Sequence, residues 1–253
     1  MTDTTSSQHT KEADEWSRSD FSKMLRPECY THENWLEREL KIIHFPAWHF
    51  VCLSTSIARP GDFTTRRFLG RNVIVIRSKD GTIRAFLNTC RHRGAPLTNE
   101  RCGNTSHFRC PFHKWSYDTF GNLTSAPGLA GHVKRSDLSK LNINLVPVQC
   151  EVAAGLVFIN LDEENAIPLE AYLGNYIDKI ARPHQTHQLH CVREKTYTLK
   201  TNWKLYIEVD METLHTNFIH SRSIGSQPVS PVEHDRNWFG VYHKKLSFPS
   251  IIP

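Results

Sequence analysis

Two short segments, each with one cysteine and one histidine, restrict this 253-residue chain more than any other feature. The first segment contains Cys90 and His92, and the second contains Cys110 and His113. Both lie in a stretch rich in turn signals, where loop tips can direct several side chains toward one point. Two thiols and two imidazoles in this pattern predict a metal centre.

Three interpretations of these four residues are open from their chemistry. A structural zinc site usually takes two cysteines from one segment and two histidines from another, whereas here each segment mixes the two types. The mixture fits a two-iron, two-sulfide cluster in which one iron binds two cysteines and the other binds two histidines, with a reduction potential of roughly −150 to +300 mV. The third interpretation is four unrelated buried polar residues. We favour the iron–sulfur cluster.

The sequence around these segments predicts an α+β chain. Helical spacing of apolar residues predicts helices over 33–45, 169–180 and about 203–219, and Pro46 ends the first of them. Short β-branched and aromatic runs separated by turns, such as Asp80-Gly81, predict a small all-β domain. Strands are also predicted over 192–199 and 238–243. The expected divisions are a disordered terminus at 1–15, a helical part at 16–47, the β domain at 48–162 and a further domain at 163–253.

Composition excludes several other classes of protein. Apolar residues make up 39% of the chain and charged residues 23%, which is typical of a folded protein. The longest apolar run, residues 152–159, is too short to span a bilayer, and the N-terminus has no apolar signal segment. A net charge of +5 is spread along the chain without a basic stripe for nucleic acid. Seven cysteines without a secretion signal predict reduced thiols or metal ligands in the cytoplasm.

The two cysteine–histidine segments, with the residues around them, resemble the Rieske domain of Rieske non-heme iron oxygenases. The resemblance implies that Cys90, His92, Cys110 and His113 bind a [2Fe-2S] cluster. It also implies that the β domain is inserted in a helix-grip (START-like) catalytic domain, of which this chain carries the front part. Lys114 departs from the family, which usually has glycine there, and it places a positive charge near the cluster. The matching residues read NTCRHRG at 88–94, CPFHKWSY at 110–117 and GNL at 121–123.

A second segment, from residue 202 to residue 220, resembles the segment that binds mononuclear iron in the same family. There an acidic residue is followed by histidines three and eight positions later, as Glu212 is followed by His215 and His220. The resemblance implies that the two histidines bind iron(II). It implies that Glu212 bridges an iron-binding histidine and a cluster histidine of a neighbouring subunit, as a path for electrons. Positions five residues apart lie about 140° apart around a regular helix, so joint binding predicts local unwinding or a π-bulge.

The third iron ligand of the family is a carboxylate well downstream. Glu233 and Asp235 are the only acidic residues in the 33 positions after His220, and they fall in a predicted loop, so neither is assigned. The expectation is an α component without the C-terminal part of the catalytic domain. The alternative expectation is an iron site completed in another way or not formed.

The resemblance implies a Rieske-type ring-hydroxylating mono- or dioxygenase. Electrons from NAD(P)H would reach the [2Fe-2S] cluster through a reductase or ferredoxin, then a mononuclear iron that activates O2 for attack on a small organic substrate. Family frequency favours an aromatic substrate, whereas Glu212, in place of the usual Asp, also occurs in relatives that oxidise quaternary amines. An electron-transfer protein with an incomplete, inactive catalytic domain is the alternative, and a zinc-stabilised interaction protein is a third. A homotrimer is implied, with no nucleic acid or membrane partner.

Overall fold

The structure, a computed structural model, describes residues 25–129, 135–210, 215–223, 233–235 and 238–240. The backbone divides into two compact units, residues 1–38 and residues 39–253. The described part of the first unit contains one short helix and all but the last residue of a second, and the second unit contains all of the described strands. The predicted disordered terminus, 1–15, lies outside the described residues.

Helices lie before and after the β region. The predicted helix over 33–45 is present in two parts, an α-helix followed by a π-helix at Leu40–His44, where the Phe45 amide donates to the Leu40 carbonyl at 2.8 Å. A second π-helix spans Ile177–Ala181, and short 3-10 helices span Ser54–Ile57, Arg135–Leu141 and Thr186–Gln188. No helix in the described part of the chain is both long and apolar enough to cross a membrane. The α-helices are α1 (Glu28–Thr31), α2 (Glu33–Glu39), α3 (Leu169–Leu173), α4 (Trp203–Asp210) and α5 (Thr216–Ile219).

Ten strands form the two sheets of the β region. The larger sheet is antiparallel throughout, with the order β1-β10-β9-β4-β3-β2-β5, and the smaller has the order β6-β7-β8. The strands of the larger sheet are β1 (Trp48–Leu53), β2 (Asp62–Phe68), β3 (Arg71–Arg77), β4 (Ile83–Leu87), β5 (Cys102–Asn104), β9 (Pro147–Ala153) and β10 (Leu156–Asn160). Those of the smaller sheet are β6 (His107–Arg109), β7 (Ser116–Asp118) and β8 (Leu123–Ser125).

The β3–β4 hairpin confirms the prediction made from Asp80-Gly81. Gly81 has a φ of +82°, which glycine adopts without the steric cost that a side chain would add. The Asp80 carboxylate binds the Arg84 guanidinium at 2.8 and 2.9 Å, and this hydrogen-bonded pairing lowers the pKa of Asp80. The turn therefore determines the pairing of β3 with β4 at the centre of the larger sheet.

Strand β3 is buried on both faces. Because successive side chains along a strand point to opposite faces, its residues join two different apolar clusters. Val73 and Val75 join one apolar cluster, whereas Ile74 and Ile76 join the cluster that also contains residues of the smaller sheet. All four side chains are fully buried. The smaller sheet is thus anchored on one face of the larger sheet, and this packing positions the loops that carry the two cysteine–histidine segments.

Two secondary-structure predictions after residue 162 are wrong. Residues 192–199 form no strand, because within the described ranges no neighbouring strand pairs with them and nearly all of their side chains are exposed. Glu233–Asp235, predicted as a loop, is strand β11, which pairs with β12 (Trp238–Gly240). A strand of three residues is too short for its alternation to be recognised in a sequence.

Candidate functional site

The two cysteine–histidine segments fold into loops with the same backbone pattern. In the first loop the Cys90 amide donates to the Ala95 carbonyl at 2.7 Å, and the Gly94 amide donates to the Cys90 carbonyl at 2.9 Å. The second loop repeats both bonds, from Cys110 to the Trp115 carbonyl at 2.8 Å and from Lys114 to the Cys110 carbonyl at 3.1 Å. Each loop thus closes on its own cysteine.

The loops bring their four predicted ligand residues around one cavity. The rings of His92 and His113 lie 4.7 Å apart between centroids, at an interplanar angle of 80°. Cys90 and Cys110 are 1% and 2% exposed, whereas His113 is exposed. The cavity has a volume of about 270 Å³ and is lined by Cys90, His92, Arg93, Ala95, Cys110, Phe112 and His113.

The chemistry of the four side chains fits a bound metal group. Nδ1 of His92 is inaccessible to solvent and forms no hydrogen bond within the described residues, although buried polar atoms normally have a partner. Desolvation, with the nearby charges of His113 and Arg93, lowers the pKa of His92 and so favours the neutral ring that a metal ligand requires. A metal on Nδ1 would satisfy this atom.

The spacing of the four residues argues against the zinc interpretation. Within the described ranges, no three side chains of histidine, cysteine, aspartate or glutamate converge closely enough to hold a single metal ion. A zinc ion needs four ligands at about 2.0–2.3 Å from one centre. A cluster with two metals and bridging sulfides allows the cysteine pair and the histidine pair to stand further apart.

Two aromatic residues, Trp115 and Tyr117, support the site, although no local sequence pattern predicts a role for either. Trp115 stacks on His92 with centroids 4.8 Å apart and an angle of 14°. The Tyr117 hydroxyl lies 3.6 Å from Sγ of Cys90 and accepts a 3.1 Å hydrogen bond from the Arg91 amide. Desolvation and the contact with Cys90 raise the pKa of Tyr117, which keeps its hydroxyl proton available to the sulfur. Their place in the matching run at 110–117 was the only sequence signal.

Of the predicted mononuclear iron segment, the structure describes His215 and His220. The rings of His215 and His220 lie 5.5 Å apart between centroids, at 74°, on either side of α5. The Ile219 amide donates to the His215 carbonyl at 2.7 Å, as in a regular helix, and His220 leaves the helix with φ −107° and ψ 14°. The helix therefore ends between the two rings without a π-bulge. Glu212, the predicted bridge, lies outside the described residues.

A buried ion pair holds the start of α4, the helix that precedes these histidines. Nζ of Lys204 lies 2.6 Å from one oxygen of Glu39, and Nε1 of Trp203 donates to the other oxygen at 2.9 Å. Both charged side chains are about one-tenth exposed. More than 160 residues separate these partners in the chain. Because of that distance, no local sequence signal could have predicted the pair.

Comparison with known proteins assigns the class of the β domain. Residues 47–143 match the Rieske [2Fe-2S] domain family. The chain therefore contains a Rieske domain, the class that its two cysteine–histidine loops define, and a Rieske domain binds a [2Fe-2S] cluster.

Relatives over a longer stretch are oxygenase subunits. The chain is 32% identical over 212 residues to the carnitine monooxygenase oxygenase subunit of Acinetobacter baumannii, covering 83% of this chain and 56% of that protein. It is 34% identical over 188 residues to a benzene 1,2-dioxygenase α subunit of Pseudomonas putida, covering 73% and 41%. It is thus a homologue of Rieske oxygenase α subunits and spans about half the length of these relatives.

Solved structures agree with this relationship. The quaternary ammonium Rieske monooxygenase CntA in complex with L-carnitine matches with a TM-score of 0.75 and 30% identity, over 84% of this chain and 60% of that one. A naphthalene 1,2-dioxygenase mutant bound to phenanthrene matches with a TM-score of 0.65 and 32% identity, over 78% and 44%. The predicted α+β fold with a Rieske domain is confirmed.

Proposed function

We propose that this chain acts as the oxygenase (α) component of a Rieske non-heme iron mono- or dioxygenase. The proposal rests chiefly on one observation, the convergence of Cys90, His92, Cys110 and His113 on one cavity with Nδ1 of His92 left unpaired. The two thiolates would hold one iron of a [2Fe-2S] cluster and the two imidazoles the other. When bound, such a cluster supplies one-electron transfer.

The cysteine side and the histidine side of the site differ in their exposure to solvent. Cys90 and Cys110 are buried, so the protein excludes water from the sulfur side, and Tyr117 can donate a hydrogen bond to Cys90 there. His113 is exposed, so an electron donor can approach the nitrogen side closely. This asymmetry supports a site that exchanges electrons with a second protein.

The mononuclear iron site is the second part of the proposal. His215 and His220 would bind iron(II), and Glu212 would link that site to a cluster histidine of a neighbouring subunit in a homotrimer. The 5.5 Å separation of the two rings, at the ends of one helical turn, supports their acting together. The donor would be a reductase or ferredoxin that draws on NAD(P)H. Seven cysteines without a disulfide support a cytoplasmic location.

The substrate would be a small organic molecule that reacts with O2. The relatives include a carnitine monooxygenase subunit and benzene dioxygenase subunits. Quaternary amines and aromatic rings are therefore the two substrate classes to compare, with aromatic hydroxylation the sequence-based expectation and Glu212 a feature that favours quaternary amines.

A second candidate function is electron transfer without oxygenation. Within the described residues, no carboxylate joins His215 and His220 in a group that could hold a metal ion. A facial triad needs a carboxylate as its third protein ligand. A chain that binds the cluster but no third iron would carry electrons only.

Counts of iron, acid-labile sulfide and zinc on the anaerobically purified chain separate these functions. Three irons and two sulfides per chain support the oxygenase, and two irons with two sulfides support electron transfer. Zinc without sulfide, or a colourless protein without a paramagnetic signal after dithionite, would contradict both.

Variants at the helix assign the third iron. His215→Ala and His220→Ala should each lose one iron per chain while the cluster absorbance is retained. His184→Ala, at an exposed histidine elsewhere in the chain, is the matched control and should keep the full count. A third iron that survives both substitutions would place it at other residues.

A further inference from the structure

Lys114 occupies a backbone position that favours glycine. Its φ is +60°, in the left-handed region that side chains rarely adopt. The equivalent position in the first loop is Gly94, with φ +76° and the same amide hydrogen bond to the loop's own cysteine. The chain thus uses glycine in one loop and accepts a strained lysine in the other. Strain of this kind persists where a side chain serves a purpose.

The side chain of Lys114 is held close to the loop that carries it. Nζ donates a 3.0 Å hydrogen bond to the Pro111 carbonyl, so the ammonium lies over the turn between Cys110 and His113. Lys114 forms no ion pair with any acidic side chain in the described part of the chain. Its charge therefore acts on the site without a neutralising partner.

The two loops that supply the cavity's cysteines and histidines are positively charged, and one of their cations, Arg93, lines the cavity itself. Residues 90–95 and 110–115 include Arg91, Arg93 and Lys114, and they include no acidic residue. All three cations are exposed. The two arginines occur in ordinary backbone conformations, so only at Lys114 does the positive charge come with a conformational cost.

We propose that Lys114 is a positioning residue that raises the reduction potential of the cluster held by these loops. A [2Fe-2S] cluster gains one negative charge when it accepts one electron from its donor protein, and no bond is made or broken. A fixed ammonium beside the cluster stabilises that added charge and so favours the reduced form. This inference rests on the proposed binding of a cluster by Cys90, His92, Cys110 and His113.

Redox titration of the full chain, followed by absorbance and paramagnetic resonance, tests the proposal. Lys114→Gly and Lys114→Asn remove the charge and keep residues that tolerate a left-handed backbone. A unit charge within a Debye length of the group at a protein surface changes a one-electron equilibrium roughly three- to tenfold. At one applied potential, the ratio of reduced to oxidised cluster should fall by that factor in both variants.

Three comparisons make the result specific. Lys114→Arg keeps the charge and should restore the original ratio. Lys200→Gln, which removes an exposed lysine outside both loops, should leave the ratio unchanged. Added salt should reduce the difference between Lys114→Gly and the unsubstituted chain, because exposed charges are screened.

Two outcomes would overturn the inference while leaving the proposed function standing. One is an unchanged midpoint potential in Lys114→Gly and Lys114→Asn. If a donor protein also reduces these variants more slowly, the lysine acts in binding the donor and not on the potential. The other is a midpoint potential that falls as far in Lys114→Arg as in Lys114→Gly, which would show that the positive charge is not the cause. If the unsubstituted chain gives no reducible signal, the proposed function itself fails.

Discussion

At the scale of single residues, Tyr117 links the core of the β region to the candidate cluster. Its ring is fully buried, and its hydroxyl accepts a hydrogen bond from the Arg91 amide and can donate one to Sγ of Cys90. A hydrogen bond to a thiolate withdraws negative charge from the sulfur and so favours the reduced cluster. One side chain thus stabilises the first loop and acts on its ligand.

Tyr117→Phe should lower the midpoint potential of the cluster by roughly 30–60 mV, because one charge-assisted hydrogen bond is lost. For a one-electron reduction, a tenfold change in the equilibrium constant corresponds to about 59 mV. The chain should also lose about 1–2 kcal/mol of unfolding free energy, since the Arg91 amide loses its acceptor. Redox titration and urea unfolding measure the two effects. Tyr206→Phe, at an exposed tyrosine, is the control, and equal midpoints in both variants would exclude the bond to sulfur.

At the scale of elements, the Glu39–Lys204 pair joins the residue before the π-helix at Leu40–His44 to the start of α4. The contact is a charged hydrogen bond at 2.6 Å between two nearly buried side chains, and the same carboxylate accepts from Trp203. Breaking a buried ion pair from one side leaves an uncompensated charge, whereas replacing both partners can be neutral. The pair therefore connects parts of the chain on either side of the Rieske domain.

Lys204→Met should cost about 3–5 kcal/mol of unfolding free energy because it leaves Glu39 buried without its cation. Glu39→Gln/Lys204→Met should recover most of that loss, since glutamine still accepts from Trp203 and methionine fills the space of lysine. Urea unfolding of the two single variants and the double variant gives the coupling energy. A double variant as unstable as Lys204→Met would mean that the charges do not interact as described.

Two histidines where the π-helix at Leu40–His44 meets strand β1 should make the stability of the folded chain depend on pH. Burial lowers the pKa of His49, whose Nε2 donates to the His44 carbonyl at 2.7 Å, and burial together with the charge of His49 lowers the pKa of His44. Near and below the ordinary histidine value of 6.5, the unfolded chain therefore binds more protons than the folded chain. Stability is then expected to fall as the pH drops through and below 6.5, and to be insensitive to these rings above it.

His49→Gln isolates that contribution, because glutamine can donate to the same carbonyl and does not titrate. Between pH 8 and pH 5.5, the melting temperature of the unsubstituted chain should fall further than that of the variant. Parallel curves for the two proteins over this range would show that His49 is not buried in its neutral form.

At the scale of the whole molecule, the segment that leads into α4 has little support from other elements within the described part of the chain. Residues 189–201 are exposed and form no helix or strand. Glu194 ties the segment to the larger sheet through Arg66, at 2.9 Å, and Arg101. An exposed extended segment with few contacts opens easily and is a preferred site for proteases.

Limited digestion with trypsin should therefore cut first after Arg193, Lys195 or Lys200 among the described residues. The N-terminal product should keep the absorbance of the cluster, since both loops and both sheets precede residue 161. Mass spectrometry of the early fragments identifies the bonds. Early cleavage between residues 48 and 162 would contradict a Rieske domain that is stable as a unit.

Local signals account for what could be predicted from the sequence. The Asp80-Gly81 hairpin and the helical spacing over 33–45 depend on neighbours in the chain, and both predictions are confirmed. Contacts between distant residues account for most of what could not. The contact between Tyr117 and Cys90 and the pair of Glu39 with Lys204 join residues far apart in the chain. Residues 192–199 needed a pairing strand that their own pattern cannot supply.

The burial of both thiols beneath an exposed imidazole has a consequence for handling the protein. A chelator or peroxide arriving from water meets nitrogen before sulfur, so damage in air would begin at the outer metal. The inner cysteines would stay shielded longest. An aged preparation should then be repairable with ferrous salt and sulfide, provided that the two loops have kept their shape.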